Sequence, residues 1–351
     1  MPKVIWWGRS DHNYSRNRIC RQLLRTLGYE VLDFVPRISA LADVEAQLKR
    51  LPNADLVWVP CFRHRDVAAA TRWARKKNIP VLFDPLISAW QKQVYERHKF
   101  AADSVRAHKC LLRESHDLQT VDMVLLDTQP QQHMFIQRFK LKPEKTAYLY
   151  VGAEQPLFVP VDMPTAAAPV EVLFYGSFIG LHGVETVIAA ARLTASQPHI
   201  RWVLLGDGPA KARAQALAAG LANVRFEASM PYTQLPQRIA QAGIVLGVFG
   251  DSEKAGQVIP NKVFQALACG RAVITRASPA YPQEISNRQD GGLWQIEAAN
   301  PQALAQAVMQ WADGSPARGQ AAHELYRTYF SQTTLQQQLQ TVLAAMGVTF
   351  A

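Results

Sequence analysis

Twelve short apolar runs, rich in β-branched and aromatic residues, recur along this 351-residue chain. Six lie in the first half: KVIWW (3–7), YEVLDF (29–34), DLVWV (55–59), IPVLF (79–83), DMVLL (122–126) and TAYLYV (146–151). Six more follow: VEVLFYG (170–176), RWVLLG (201–206), VRFEA (224–228), IVLGVF (244–249), AVIT (272–275) and GLWQI (292–296). Helix-like segments separate them. In SRNRICRQLLRTLG, for example, Ile19, Leu23, Leu24 and Leu27 share one face and Gly28 ends it. Near-continuous apolar strands alternating with amphipathic helices predict parallel sheets covered on both faces.

The length exceeds one ordinary core and predicts two domains. GAEQPLFVPVDMPTAAAP (152–169) is rich in Pro and Ala, lacks periodicity and reads as a linker. The expectation is an α/β protein of two doubly wound, Rossmann-like domains facing a central cleft, with ligands at the carboxyl ends of the strands. The boundaries read as 1–152, 170–330 and a last amphipathic helix over 331–351, expected to pack back on the first domain.

Charge divides unevenly between the halves. Residues 1–150 hold 25 Lys and Arg against 15 Asp and Glu, whereas 151–351 hold 13 of each. The net +10 therefore sits entirely in the first half. Such an excess serves solubility or faces an anionic partner. No apolar run reaches the ~18 residues of a membrane span, and the start runs straight into a strand without a signal-peptide pattern. Cys20, Cys61, Cys110 and Cys269 are scattered, which reads as reduced thiols in a cytoplasmic protein.

Three segments of the second half carry candidate chemistry. In FYGSFIGLHGVETVIAAARL (174–193) a strand ends at Gly176. Ser177, His182 and Gly183 follow before a helix whose unpaired N–H groups suit phosphate oxygens. A plain strand–loop–helix joint would look the same. In WVLLGDGP (202–209), Gly206, Asp207 and Gly208 make a tight turn, but a third glycine of the dinucleotide fingerprint is missing. In QVIPNKVFQALACGRAVIT (257–275), Pro260 and Asn261 precede a helix with Lys262 in its first turn. A cation there opposes the helix dipole by up to ~1 kcal/mol, which an anion at the same place would relieve. Gln257 and Gln265 flank this turn as neutral hydrogen-bonding groups. In the first half, GRSDHNYSRNR (8–18) bends at Gly8, and Arg16 and Arg18 can clamp a phosphate from a helix start. Asp84 ends the fourth strand.

HGVETVIAAA, LLGDGP and FQALACGRAVIT, in that order, resemble the C-terminal domain of GT-B fold glycosyltransferases, closest to the retaining family 4 group. The resemblance covers most of 170–312. It implies transfer of a sugar from a nucleotide-diphosphate sugar, UDP- or GDP-linked, to a glycan, lipid-linked or lipopolysaccharide acceptor with retention of configuration. It implies donor contacts at Gly176, Ser177, Gly183, Gly206, Asp207, Gly208, Gln257, Pro260, Asn261 and Gln265. Catalytic roles would fall on Asp84, His182 and Lys262, and phosphate or acceptor roles on Gly8, Arg16 and Arg18. The family's usual basic loop residues are here Ser177 and His182, its two glutamates are Gln257 and Gln265, and its N-domain histidine is Asp84.

No Asp-x-Asp motif occurs and DSE (251–253) reads as a surface turn, so neither a metal nor another cofactor is expected. The basic first domain would bind the acceptor. Its segment 89–114, long, basic and partly aromatic, would rest on an anionic inner-membrane surface. Three other readings stand beside this one. They are another enzyme on the same fold, such as a sugar-nucleotide epimerase or a glycan phosphorylase, a donor binder without turnover, and a nucleic-acid binder. The last lacks a recognisable module, so no nucleic acid is expected.

Overall fold

The computed structural model describes residues 1–97, 99–161, 169–285, 292–312 and 318–348. The chain forms two compact units, Met1–Val151 with Leu335–Ala351, and Gly152–Thr334.

The first unit holds β1 (Lys3–Trp7), β2 (Glu30–Phe34), β3 (Leu56–Val59), β4 (Val81–Phe83), β5 (Met123–Leu126) and β6 (Thr146–Tyr148). All pair in parallel in the order β2-β1-β3-β4-β5-β6. The connecting helices are α1 (Ser15–Thr26), α2 (Ala42–Leu48), α3 (Val67–Arg75), α4 (Ala89–Gln91), α5 (Val105–Thr120) and α6 (Gln129–Phe139). Both faces of the central strands are buried. Ile5, Val57 and Phe83 enter a core with Trp73 and Phe135, while Trp6 and Trp58 stack on the opposite face with ring centres 5.7 Å apart. Such two-sided burial is why these strands read as unbroken apolar runs.

The second unit holds β7 (Val170–Gly176), β8 (Ile200–Gly206), β9 (Val224–Glu227), β10 (Ile244–Leu246), β11 (Ala272–Arg276) and β12 (Leu293–Ile296). Their order is β12-β11-β10-β7-β8-β9, again parallel. This is the Rossmann order, and its direction reverses between β7 and β10. The helices are α7 (Val184–Leu193), α8 (Lys211–Leu217), α9 (Leu235–Ala240), α10 (Asn261–Ala268), α11 (Pro301–Ala312) and α12 (Arg318–Tyr329). The core joins Phe174, Trp202, Leu204 and Ile274 to Val187, Val308 and Trp311. The Trp202 indole N–H is satisfied by Thr194 Oγ1 at 2.9 Å.

The last helix, α13 (Gln332–Ala345), turns Leu335, Leu339, Val342 and Leu343 inward.

All twelve expected strands form, and two of them stop three residues before their apolar runs do. β6 stops at Tyr148, and the Arg16 guanidinium takes the carbonyls of Leu149 and Tyr150. β10 stops at Leu246: the Thr275 hydroxyl accepts from the Val248 N–H at 3.2 Å, while main-chain bonds to β11 run on from Gly247 N–H to the Ile274 carbonyl and from Arg276 N–H to that of Val248. The expected linker also differs. Ala153 and Phe158 are buried, Phe158 meets Tyr232 edge-on, Tyr326 donates to the Ala153 carbonyl and Arg271 to that of Val161. Residues 152–161 are thus part of the second unit, and 162–168 lie outside the described residues.

Candidate functional site

The second unit's site forms where its sheet reverses direction. β7 and β8 end side by side at Gly176 and Gly206, which are paired in register. Gly206 has φ +127°, and a Cβ there would stand 2.1 Å from the Gly176 carbonyl oxygen. A Cβ on Gly208 would stand 1.7 Å from that of Ser177. The two loops therefore run backbone against backbone, which only glycine permits. The Asp207 carboxylate accepts from the Gly208 N–H at 2.8 Å and holds the turn. Ser177 and Asp207 are exposed.

Across the reversal, the loop after β7 is tied to the exit of β10. Phe249 N–H donates to the His182 carbonyl and Gly250 N–H to that of Leu181. Gly183, at φ +63°, caps α7 beside this tie. His182 is thereby drawn in and buried.

Lys262 reaches the same place from α10, which starts at Asn261 after Pro260 as its N-cap. A Cβ placed on Gly176 would lie 2.8 Å from His182 Cε1 and 3.2 Å from Lys262 Nζ, so the two side chains converge there. Lys262 is 5% exposed, and its Nζ lies 4.1 Å from the centre of the Phe174 ring. Neither Lys262 Nζ nor His182 Nδ1 has a hydrogen-bond partner. Burial lowers the Lys262 ammonium to about 7. Burial, with the Lys262 charge second, lowers His182 to about 2, so its imidazole is neutral. A buried cation held by ring faces but by no acid or hydrogen-bond acceptor is costly, and an anion would relieve it. The cradle has no Cβ on one side, a cation on another and the α7 and α10 amino ends nearby, a combination that accommodates a phosphate.

Gln265 is held between two tyrosines. It is buried, its Oε1 2.9 Å from the Tyr175 hydroxyl and its Nε2 donating to the Tyr232 hydroxyl at 3.0 Å. One bond at each end of the amide is thus made to a tyrosine, which fixes the orientation of the side chain. Gln257 donates to Glu253 at 3.0 Å on an exposed turn. The sequence signal for Tyr175 was its place one residue before Gly176. Nothing in the sequence distinguished Tyr232.

The first unit gathers buried ionisable groups at the carboxyl end of its sheet. Arg16 enters from α1 and is 1% exposed. Its Nε donates to Asp84 Oδ2 at 2.8 Å, and its other nitrogens reach the carbonyls of Leu149, Tyr150 and Leu126. The expected phosphate clamp is therefore a staple across the ends of β4, β5 and β6. Asp84 is equally buried, and among the described residues its Oδ1 has no hydrogen-bond partner. Burial raises its carboxyl, and Arg16 pulls it back. Arg18, two residues on, is half-buried. Gly8, at φ +130°, backs onto the ion pair of buried Asp66 and half-buried Arg63. Sequence reasoning missed Asp127, which follows β5 beside this cluster. Burial lifts its carboxyl to about 7, with Arg16 opposing. Its place after a strand end was the available signal.

Segment 89–114 spends much of its apolar content internally, since Trp90, Val94 and Ala107 form a small core of their own. Residues 251–253 form an exposed turn. No helix among the described residues is long and apolar enough to cross a membrane.

Two parallel six-stranded sheets wrapped by helices, the second in Rossmann order, constitute the GT-B fold. Residues 169–313 match the family of glycosyl transferases group 1. The chain is similar over its length to HepE of Anabaena, whose structure was determined with UDP: 14% identity, TM-score 0.71, covering 98% of this chain and 100% of that one. It is similar to sucrose-phosphate synthase of Thermosynechococcus elongatus, at 19% identity, TM-score 0.72 and 99% of each chain. The lipopolysaccharide outer core galactosyltransferase WaaB matches at 14% identity and TM-score 0.65, over 98% of this chain and 99% of that one. No curated protein sequence matches the chain.

Proposed function

We propose that the protein transfers a sugar from a nucleoside-diphosphate sugar to a glycan or lipid-linked acceptor, with retention of configuration and without a metal. The observation that carries this reading is the buried, unpartnered pair of Lys262 and His182 converging at Gly176. Charge develops on the β-phosphate of a departing nucleoside diphosphate, and preorganised donors are worth most there. Lys262 supplies the charge. The neutral imidazole of His182 supplies a hydrogen bond, and the glycine turns bring backbone N–H groups close. The match to glycosyl transferases group 1 over this unit, and UDP or UDP-glucose in the HepE structures, support a UDP-linked donor. GDP-linked donors remain a comparison arm.

The test is a thermal-shift screen with UDP, GDP and their sugars, followed by a transfer assay with and without a chelator. A ligand binding only the folded state at a hundred times its Kd stabilises by about 2.7 kcal/mol. Stabilisation by a nucleoside diphosphate well beyond that by the nucleoside is expected. No shift with any nucleotide would sink the reading. Gln257 and Gln265, where the resembling family has carboxylates, favour one second reading, donor binding without transfer. Stabilisation with no turnover of any donor would select it.

A further inference from the structure

α2 is built inside out. It buries its small residues, Ala42 and Ala46, and exposes its large ones. Leu41, Val44 and Leu48 fall at helical spacing and are 56%, 51% and 79% exposed. Val35 and Ile38, in the preceding turn, extend the exposed set back to the end of β2, the outermost strand of its sheet. A surface helix ordinarily does the reverse, and a contiguous apolar stripe of this kind marks a surface that something covers.

The flank of the stripe is cationic. Lys49 and Arg50 close α2, and Lys76 and Lys77 follow α3, which packs beside it. Between these helices lies a groove of about 360 Å³ floored by Ala46, Leu51 and Trp73, with Lys77 Nζ 5.0 Å from the Trp73 ring. The nearby acids are already engaged: Asp43 with Arg72, and Glu45 with Lys49. An apolar ridge bordered by Arg50, Lys76 and Lys77, with Lys49 paired to Glu45, is complementary to one kind of surface, hydrocarbon beneath a layer of negative headgroups.

We infer that the first unit docks on an anionic lipid bilayer through Leu41, Val44 and Leu48, with Arg50, Lys76 and Lys77 at headgroup level. This surface is different from segment 89–114, whose Trp90 and Val94 are buried. The inference does not depend on sugar transfer, because the donor cradle lies in the other unit.

The full-length protein is sedimented with phosphatidylcholine vesicles and with vesicles in which about a third of the lipid is phosphatidylglycerol. Binding is expected to the anionic vesicles only. Leu41→Ser with Leu48→Ser should lower partitioning at least about tenfold, since each change withdraws apolar surface from the bilayer. Arg50→Ala with Lys76→Ala should lower it about fivefold per charge. Arg106→Ala with Lys109→Ala, on α5, should leave it nearly unchanged. The replaced leucines are exposed, so melting temperature and stabilisation by UDP should match the parent, and Leu48→Ser alone gives a milder check. The inference is overturned if the parent binds neither vesicle or both equally. It is also overturned if the leucine pair binds normally, if only the α5 pair loses binding, or if the leucine pair alters oligomeric state instead.

Discussion

At the scale of the residue, Lys262 combines two properties that rarely coexist: a charged head and a place in the core. Its ordinary value of 10.5 falls to about 7 on burial. Below pH 7 it is protonated in both folded and unfolded chains, and the folded state bears the full cost of burying the charge. Between 7 and 10.5 the folded state sheds the proton while the unfolded state keeps it, so the cost is relieved as pH rises. Lys262→Met is therefore expected to raise the melting temperature of the ligand-free protein most below pH 7, with the gain shrinking towards pH 10.5. A gain independent of pH would show that the ammonium is not the source. A diphosphate reverses the balance by favouring the charged form. Calorimetry at a pH above 7, in buffers of different ionisation enthalpy, should find uptake approaching about one proton on UDP binding. The same measurement on Lys262→Met should find almost none. Lys262 was legible in the sequence because a cation in the first turn of a helix is electrostatically out of place. Arg16 looked the same and proved different. Its charge is visible in the sequence, but the three carbonyls and the carboxylate that consume it come from strands far along the chain.

At the scale of the element, the glycine turns after β7 and β8 determine how the donor loops meet. Gly206→Ala would drive a methyl group into the Gly176 carbonyl. The obstacle is backbone, and φ there is positive, so the substitution should destabilise the protein by more than about 1 kcal/mol. Gly180→Ala is its control, since nothing lies within 4 Å of a Cβ there. Urea titrations of both variants decide the matter, and equal midpoints would mean that the close approach does not constrain the loops. The strands themselves were legible because burial on both faces leaves an unbroken apolar run. Their ends were less so. β10 ends where the Thr275 hydroxyl takes the Val248 N–H, a tertiary event with no local signature.

At the scale of the whole molecule, two units with separate cores should unfold in two resolvable calorimetric steps. UDP should raise only the step belonging to Gly152–Thr334. Arg16→Met, which strands the buried Asp84, should lower only the other, by about 3–5 kcal/mol. A single transition moved by both would contradict this division. The architecture was readable from the alternation of twelve runs, and the uneven charge from composition alone. What composition could not do was locate the cationic surface. The basic stretch 89–114 drew attention by content, whereas the inverted helix α2 is conspicuous only once Ala42 and Ala46 are seen to face inward.

The bond pair around Gln265 has a directional consequence. The Tyr175 hydroxyl donates to the amide oxygen, with the Lys262 carbonyl as a longer second acceptor, and the amide nitrogen donates to Tyr232, so polarity runs outward along a line of three side chains. Tyr232 receives at its oxygen and keeps its own proton pointing away from the glutamine. A carboxylate at the same position would accept from both tyrosines and turn the outer hydroxyl around. The exchange of an acid for an amide thus reverses the sense of the outermost group, which receives a proton from the amide where it would have given one to the acid.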